Sequence, residues 1–212
     1  FPFPARAPSG ADLLRLSHPE TVVVRSTLEA PLQRTAERLL ADALKPFPGS
    51  VAAAALVVEN ATGAVRAYVG NARWGGAERG NWVDCGGVPR SPGSALKPFV
   101  YLRAFERGLL APGSLVADTP LGMAGRSPRH FDRKYRGAVS ARDALADSLN
   151  VPAVRVLRLV RGNDLLGFLR RLGFGLLEED SDHYGDALVL GGCEVTLREL
   201  AQAYATLGSG GV

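Results

Sequence analysis

The hydrophobic pattern of the chain predicts several amphipathic helices around at least one β-hairpin. After Pro31, apolar residues recur every three or four positions, which places them on one face of a helix. Proline suits the first turn of a helix, where its missing N–H has no bond to lose, and Pro46 ends the segment. We therefore predict a helix from Pro31 to about Leu44. Its apolar face consists of Leu32, Ala36, Leu39, Leu40 and Ala43.

Residues 50–70 carry the clearest strand pattern. Val51 to Val58 is an apolar run, residues 59–63 have the composition of a turn, and Val65 to Val69 alternates apolar with other positions, as a hairpin requires. The first strand is apolar on both faces, so we expect it to lie inside a sheet that helices cover. The β-branched segment Thr21 to Leu28 is also predicted to be a strand.

The remaining helices are predicted from capping signals and apolar spacing. Ser140 precedes an acidic residue by three positions, as in a capping box, and opens a helix through Leu149. Thr196 does the same for a helix to about Leu207. Two more helices are predicted at 153–160 and 163–172. Before them, the proline-containing residues 1–10 are expected to be extended, with a short helix at 11–16, and residues 108–136 to be irregular.

Composition excludes several function classes. The 212 residues are 46% hydrophobic and carry a formal charge of +4, with basic and acidic residues interleaved, so no basic stripe typical of a nucleic-acid-binding protein is present. The two cysteines suggest buried thiols rather than a disulfide framework or a metal site, and the three histidines are scattered. The sequence has no secretory signal and no apolar run long enough to span a membrane.

A serine and a lysine three residues apart are the first candidates for catalysis. Ser94 and Lys97 follow the turn Pro92-Gly93 and open an apolar helical segment, so their side chains lie on one face. A neutral lysine amine can take the proton that makes a serine hydroxyl nucleophilic. Lysine is scarce here: of 25 Lys and Arg residues, the lysines are Lys45, Lys97 and Lys134. Taken alone, the pair has a second interpretation: a serine that caps the helix, beside a lysine exposed to solvent.

Ser148 and Asn150 form a second candidate pair, immediately before Pro152. Proline restricts the residue before it and breaks or restarts a helix there, so both side chains can face outward. A second hydroxyl could relay a proton, and a carboxamide could both donate and accept hydrogen bonds to a peptide backbone. Taken alone, Ser-x-Asn is common in turns and caps.

Ser-x-x-Lys followed by Ser-x-Asn is a motif set of β-lactamases and penicillin-binding proteins, and this chain resembles the transpeptidase domain of class A penicillin-binding proteins, most of all the 1C type. The resemblance runs from about Val51 to the C-terminus, and residues 1–49 resemble the linker segment before that domain. It rests on residues 90–99 (RSPGSALKPF), 144–154 (ALADSLNVPAV) and 190–201 (LGGCEVTLRELA). It implies an α/β (α+β) fold of the penicillin-binding transpeptidase and serine β-lactamase type, with helices packed on an antiparallel sheet.

The resemblance also implies a reaction and a role for each candidate. Ser94 would attack a D-alanine carbonyl of a peptidoglycan stem peptide, and a neighbouring stem amine would resolve the acyl-enzyme into a cross-link. Lys97 would be the base, Ser148 would relay protons and Asn150 would bind the substrate amide. β-Lactam antibiotics would acylate the same serine, and no cofactor or metal would be needed. The parent protein would work at the cell envelope, on the periplasmic or extracellular face of the inner membrane, held by an N-terminal anchor outside this chain.

The sequence departs from the family in two places. The Lys-Thr-Gly or Lys-Ser-Gly motif is absent, since Tyr135 and Arg136 follow the last lysine. We therefore expect residues 50–212 to be the N-terminal part of the domain, with an incomplete sheet and the remainder of the domain as a partner. His130 stands where relatives often carry asparagine. A serine β-lactamase or carboxypeptidase, and a non-catalytic wall-binding or β-lactam-sensing module, remain open alternatives.

Overall fold

The computed structural model describes residues 7–20, 23–75, 79–121 and 134–211. These residues form two compact units. The first consists of the chain up to Pro89 together with the segment that begins at Thr196, and the second is Arg90–Val195. His130 and residues 1–6 of the expected extended segment lie outside the described residues.

The first unit contains an antiparallel hairpin with helices. Strand β1 pairs with β2 from Ala55 opposite Val69 to Val58 opposite Val65, with an irregularity before Val58. Helix α2 packs against β2, and α8 packs against β1. The elements of this unit are α1 (Pro8–Ser17), α2 (Ala30–Ala43), β1 (Ala55–Val58), β2 (Val65–Val69), a 3₁₀ turn (Arg79–Trp82) and α8 (Leu197–Gly208).

The outer edge of β2 is occupied by the first turn of α2 and the residue before it. The buried Gln33 amide donates to the Tyr68 carbonyl at 2.9 Å and accepts from the Tyr68 N–H at 2.8 Å. Just before the helix, the Glu29 N–H donates to the Arg66 carbonyl at 2.8 Å. These bonds replace a neighbouring strand, because buried backbone groups need partners. In the described part of the chain, β1 pairs with β2 alone.

The second unit is mostly helical and has a small antiparallel hairpin of its own, β3 with β4. Its elements are a 3₁₀ turn (Gly93–Leu96), α3 (Lys97–Glu106), β3 (Leu115–Asp118), β4 (Gly137–Ser140), α4 (Ala141–Ala146), α5 (Asn150–Val160), α6 (Gly162–Arg171), α7 (Ser181–Tyr184) and a 3₁₀ segment (Gly185–Leu190).

Helix α5 lies at the centre of the second unit, against α3, β3 and the 3₁₀ segment Gly185–Leu190. It is rich in valine, which forms helices less readily than leucine or alanine, so tertiary packing must stabilise it. Each buried valine contributes roughly 1.5–3 kcal/mol. Its buried residues are Val151, Pro152, Ala153, Val154, Val156, Leu157 and Val160.

Helix α3 is fixed in this core at two points. Phe99 meets Phe174 edge-to-face, with ring centroids 5.7 Å apart. Near the other end of α3, the Arg103 guanidinium donates to Asp164 Oδ1 through Nε at 3.1 Å and Nη2 at 2.6 Å, and it lies 5.6 Å from the Phe168 ring centroid. Hydrogen bonding from Arg103 is the main reason that the pKa of Asp164 lies below its usual value. These contacts hold α3, whose first residue is Lys97, against the core of the second unit.

Several predicted elements are confirmed. The helix after Pro31 is α2, and the hairpin of residues 50–70 is β1 with β2. Ser140 caps α4 by accepting the Asp143 N–H at 3.1 Å. At α8, Thr196 and Glu199 form the complete capping box: each side chain accepts the other's backbone N–H. The helices predicted at 153–160 and 163–172 correspond to α5 and α6.

Other predictions are wrong over the described residues. Pro8–Gly10 is the start of helix α1 rather than extended chain, since proline also suits a first helical turn. The segment from Val23 to Leu28 is not a strand. Thr27 Oγ1 donates to the Val65 carbonyl of β2 at 2.7 Å, but the segment forms no backbone ladder with that strand, and Val23 is 75% exposed.

The boundaries around Ser148 also differ from the prediction. Helix α4 ends at Ala146 rather than Leu149, and α5 already begins at Asn150. Strands β3 and β4 lie in and after the stretch expected to be irregular. The hydrophobic pattern does not predict β3, because its apolar residue Leu115 is exposed and its charged residue Asp118 is buried. Asp118 accepts the Arg136 N–H at 2.9 Å.

No helix among the described residues has both the length and the apolar character needed to cross a membrane. Cys85 and Cys193 form no disulfide bond. Burial raises the pKa of the Cys193 thiol to about 11. The described ranges contain no group of three or more His, Cys, Asp or Glu side chains that could hold a metal ion.

Candidate active site

Ser94 and Lys97 are brought together by a 3₁₀ turn that leads directly into α3. Gly93 begins this turn at φ +54°, a left-handed conformation that glycine adopts without strain. The Lys97 N–H donates to the Ser94 carbonyl. In a 3₁₀ turn, side chains three residues apart are eclipsed. Ser94 and Lys97 therefore lie on one face, as predicted, but the turn that joins them is a 3₁₀ turn, which is tighter than a turn of α-helix.

The two side chains have opposite environments. Ser94 is exposed, whereas Lys97 is only 1% exposed. Burial lowers the pKa of the Lys97 amine from 10.5 to about 8, because a low-dielectric surrounding disfavours the charged form. Roughly a tenth of such an amine is neutral at pH 7. Lys97 therefore has the ionisation that a general base near neutral pH requires.

Three oxygen atoms surround the Lys97 Nζ. It donates to the Ser148 carbonyl at 2.5 Å, to Ser148 Oγ at 3.1 Å and to Asn150 Oδ1 at 2.6 Å. All three acceptors are neutral, so they hold the amine in place without adding the negative charge that would raise its pKa. The structure thus brings Lys97 of the first predicted pair into direct contact with both residues of the second pair, more than 50 positions away in sequence.

Ser148, whose carbonyl and hydroxyl both accept from the amine, has a left-handed backbone conformation. Helix α4 ends in a Schellman arrangement, in which the Ser148 N–H donates to the Leu145 carbonyl and the Leu149 N–H to the Ala144 carbonyl. Ser148 occupies the left-handed position of this motif, at φ +53°, where glycine is usual. Such a conformation costs a non-glycine residue about 1–2 kcal/mol. Strain of this kind persists where the surroundings impose it, often at functional sites.

Asn150 is held by the helix that it begins. It is the first residue of α5, and Val151, which follows it, is completely buried. Pro152 falls in the first helical turn, where an N–H would have no helical acceptor. The sequence prediction that Pro152 restarts a helix is confirmed, and this restart fixes the carboxamide against Lys97.

The Ser94 hydroxyl and backbone N–H are not engaged as hydrogen-bond donors within the described protein. No hydrogen bond joins Ser94 Oγ to Lys97 Nζ; contacts of this kind often tighten only in the complex with substrate. The Ser94 backbone N–H therefore remains available to a developing negative charge.

Sequence reasoning missed a set of contacts behind the serine. The Ser91 hydroxyl donates to the Gly191 carbonyl at 2.6 Å, across 100 positions of sequence. Beside it, Arg90 and Val195 exchange two backbone hydrogen bonds of 2.9 Å. The signal in the sequence is the Leu190-Gly191-Gly192 segment, part of the resemblance over residues 190–201, which does not by itself indicate its partner.

The family model of the penicillin binding protein transpeptidase domain matches residues 53–212 of this chain. The chain belongs to that family. Penicillin-binding protein 1C of Escherichia coli is 36% identical to it over 181 residues, which are 85% of this chain and 24% of that protein. The described α+β fold agrees with this membership.

Two solved structures are similar. One is the penicillin-binding protein PonA1 from Mycobacterium tuberculosis, with a TM-score of 0.77 and 25% identity over 98% of this chain and 56% of that one. The PonA1 complex with penicillin V superposes with a TM-score of 0.75 over 95% of this chain and 56% of that one, at 24% identity, which supports the fold. The chain thus spans about a quarter of the curated relative and little more than half of the solved neighbour.

Proposed function

We propose that this chain carries the nucleophile of a serine D,D-transpeptidase that cross-links peptidoglycan stem peptides and is acylated by β-lactams. The observation that carries the proposal is the buried Lys97 amine, held by Ser148 and Asn150 one 3₁₀ turn from the exposed Ser94. The match to the transpeptidase family and the neighbour solved with penicillin V support it.

In the acylation step, neutral Lys97 takes the proton from Ser94 Oγ as that oxygen attacks the carbonyl carbon of the penultimate D-alanine. The Ser94 N–H stabilises the oxyanion, a contribution of about 3–4 kcal/mol for one such donor. The C–N bond then breaks. Ser148 Oγ gives its proton to the departing D-alanine amine and takes in its place, through their hydrogen bond, the proton that Lys97 gained from Ser94, so Lys97 is neutral again. An acyl ester on Ser94 remains.

In the second step, the amine of a neighbouring stem peptide attacks this ester. The proton path runs in reverse: the amine gives its proton through Ser148 to Lys97, and Ser94 Oγ regains one as the ester bond breaks. Asn150 keeps its oxygen on Lys97 and orients the amide of the donor stem. The products are a cross-link and the starting enzyme. This chemistry uses only side chains and backbone groups of the protein.

We further propose that the remainder of the domain is the first partner of this chain. We expect a strand with Lys-Thr-Gly or Lys-Ser-Gly to complete the cleft, and further strands to pair along β1. The occupied outer edge of β2 and the single pairing of β1 in the described residues support this arrangement. Residues 1–49 are proposed as the linker segment before the domain. The site is proposed to act on the periplasmic or extracellular face of a bacterial membrane.

The test is covalent labelling of the full-length protein with a fluorescent penicillin, followed by mass spectrometry. We expect one adduct with the mass of the whole β-lactam on Ser94, and none in Ser94→Ala. Ser17→Ala, at an exposed serine that ends α1, is the control and should label normally. Labelling that survives Ser94→Ala would reject the assignment.

A second assay separates the transpeptidase from its alternatives. With stem-peptide substrates, a transpeptidase forms cross-linked product. Rapid hydrolysis of a chromogenic β-lactam would instead favour a β-lactamase or carboxypeptidase. A lasting adduct without any cross-linked product would favour a wall-binding or sensing module.

A further inference from the structure

Behind Ser94, the turn that carries it rests on a segment from the far end of the second unit. Gly191 follows the 3₁₀ segment Gly185–Leu190 and adopts φ +88°. Its backbone lies so close to Gly93 that an added Cβ would be 2.4 Å from the Gly93 nitrogen and 2.5 Å from its Cα. Neither atom belongs to a flexible side chain. The backbone immediately before Ser94 therefore packs directly on the Gly191 backbone.

The Ser91 hydroxyl joins these two backbones. It donates to the Gly191 carbonyl at 2.6 Å and accepts the Gly93 N–H at 3.3 Å. One side chain thus uses both its donor and an acceptor. The first bond ties the turn to the Gly191 segment, and the second holds Gly93, the residue immediately before Ser94.

A second connection flanks this one. The Arg90 N–H donates to the Val195 carbonyl and the Val195 N–H to the Arg90 carbonyl, both at 2.9 Å. Residues 90–93 are therefore held by residues 191–195 at two places. None of these hydrogen bonds involves Lys97, whose amine is held by Ser148 and Asn150. Placement of the nucleophile and tuning of the base are carried by separate groups.

We propose that Ser91 is a positioning residue for acylation, and that it acts with Gly191 to hold the Ser94 turn in its reactive position. This inference rests on the proposed function. The Gly93–Leu96 turn sets the direction of both the Ser94 hydroxyl and the Ser94 N–H. A displacement of about 1 Å at such a centre can cost up to a hundredfold in rate. Loss of the Ser91 hydroxyl frees the turn without touching the base.

The experiment measures acylation of the full-length protein by a fluorescent penicillin, per acylatable site. In Ser91→Ala we expect the acylation rate constant to fall about tenfold. The dissociation constant of the non-covalent penicillin complex should change less than about twofold, and the pH dependence of acylation should be unchanged. Ser91→Thr keeps the hydroxyl and should restore the rate to within about threefold of wild type. A merely structural role would lower the melting temperature and the number of sites, and leave the rate per site unchanged.

A glycine pair gives an independent measurement. Gly191→Ala should slow acylation at least as much as Ser91→Ala, because its methyl group would displace Gly93. Gly108→Ala is the matched control: Gly108 also has a left-handed φ, +64°, but an added Cβ would meet no atom within 4 Å. It should lose some stability through strain and keep the wild-type rate per site.

The outcomes separate this inference from the proposed function. If the wild-type protein is not acylated at Ser94, the proposed function fails. If it is acylated and Ser91→Ala reacts at the wild-type rate per site, the positioning role is wrong. Equal slowing in Ser91→Ala and Ser91→Thr would also overturn it, since the hydroxyl would then not be the group that matters.

Discussion

The Nζ of Lys97 lies 2.6 Å from the Oδ1 of Asn150, although 53 positions separate the two residues in sequence. The contact joins the first turn of α3 to the first turn of α5, two helices that pack against each other in the core of the second unit. A buried amine with neutral acceptors keeps a lowered pKa, whereas a carboxylate in the same place would raise it. The identity of residue 150 thus bears directly on the ionisation of the proposed base.

The first prediction concerns pH. Because the pKa of Lys97 is lowered to about 8, its neutral form grows as the pH rises toward that value. The second-order rate constant for acylation by penicillin should therefore increase about tenfold per unit below pH 8 and level off above it. Stopped-flow labelling between pH 6 and 9 measures this. A flat profile over that interval would exclude Lys97 as the base.

The second prediction places a charge beside the amine. Asn150→Asp keeps the size of the side chain but puts a carboxylate next to Lys97 Nζ, which favours the ammonium form. We expect the pH at which acylation levels off to move upward by at least one unit, with slower labelling at pH 7. Asn163→Asp, a change of the same kind at the start of α6, should leave the profile in place.

The third prediction uses the left-handed backbone of Ser148. Ser148→Gly and Ser148→Ala both remove the relay hydroxyl, so both should slow acylation. Only glycine adopts φ +53° without strain, so Ser148→Gly should be more stable than Ser148→Ala by about 1 kcal/mol in urea unfolding. Equal stabilities would show that the turn relaxes in the variants.

The fourth prediction tests the segment before the hairpin. Gln33→Leu removes both partners of the buried Tyr68 backbone groups. Leaving such groups unsatisfied costs about 1–3 kcal/mol each, so the free energy of unfolding should fall by at least 2 kcal/mol. Arg34→Ala, on the exposed face of α2, is the control and should change it by less than 0.5 kcal/mol. A small effect of Gln33→Leu would mean that the N-terminal segment does not stabilise the hairpin.

The fifth prediction concerns the remainder of the domain. The 212-residue chain produced alone should label poorly with penicillin, and the full-length protein should label well. In the described residues β1 pairs with β2 alone, and we expect part of the cleft to come from the strand that carries Lys-Thr-Gly or Lys-Ser-Gly. Robust turnover by the pure 212-residue chain would contradict the proposed role of that strand.

The elements that local patterns specify were predicted well. Helix α2, the β1–β2 hairpin and the Thr196 capping box each follow from residues close together in sequence. The predictions were wrong where contacts with distant parts of the chain, rather than the local sequence, decide the secondary structure. The segment from Val23 to Leu28 has strand-forming residues but contacts β2 through the Thr27 side chain rather than through a backbone ladder. Strand β3 buries Asp118 while exposing Leu115, against its own hydrophobic pattern.

By itself, the sequence determined the chemical parts: Ser94 and Lys97 one turn apart, and Ser148 and Asn150 at a helix restart before Pro152. These follow from short-range geometry, which a chain specifies within a few residues. Only the tertiary structure decided that the two pairs meet, that Lys97 is buried enough for a pKa of about 8, and that Gly191 supports the backbone before Ser94. Burial and close packing depend on what the rest of the chain places around a residue, and no local pattern records that.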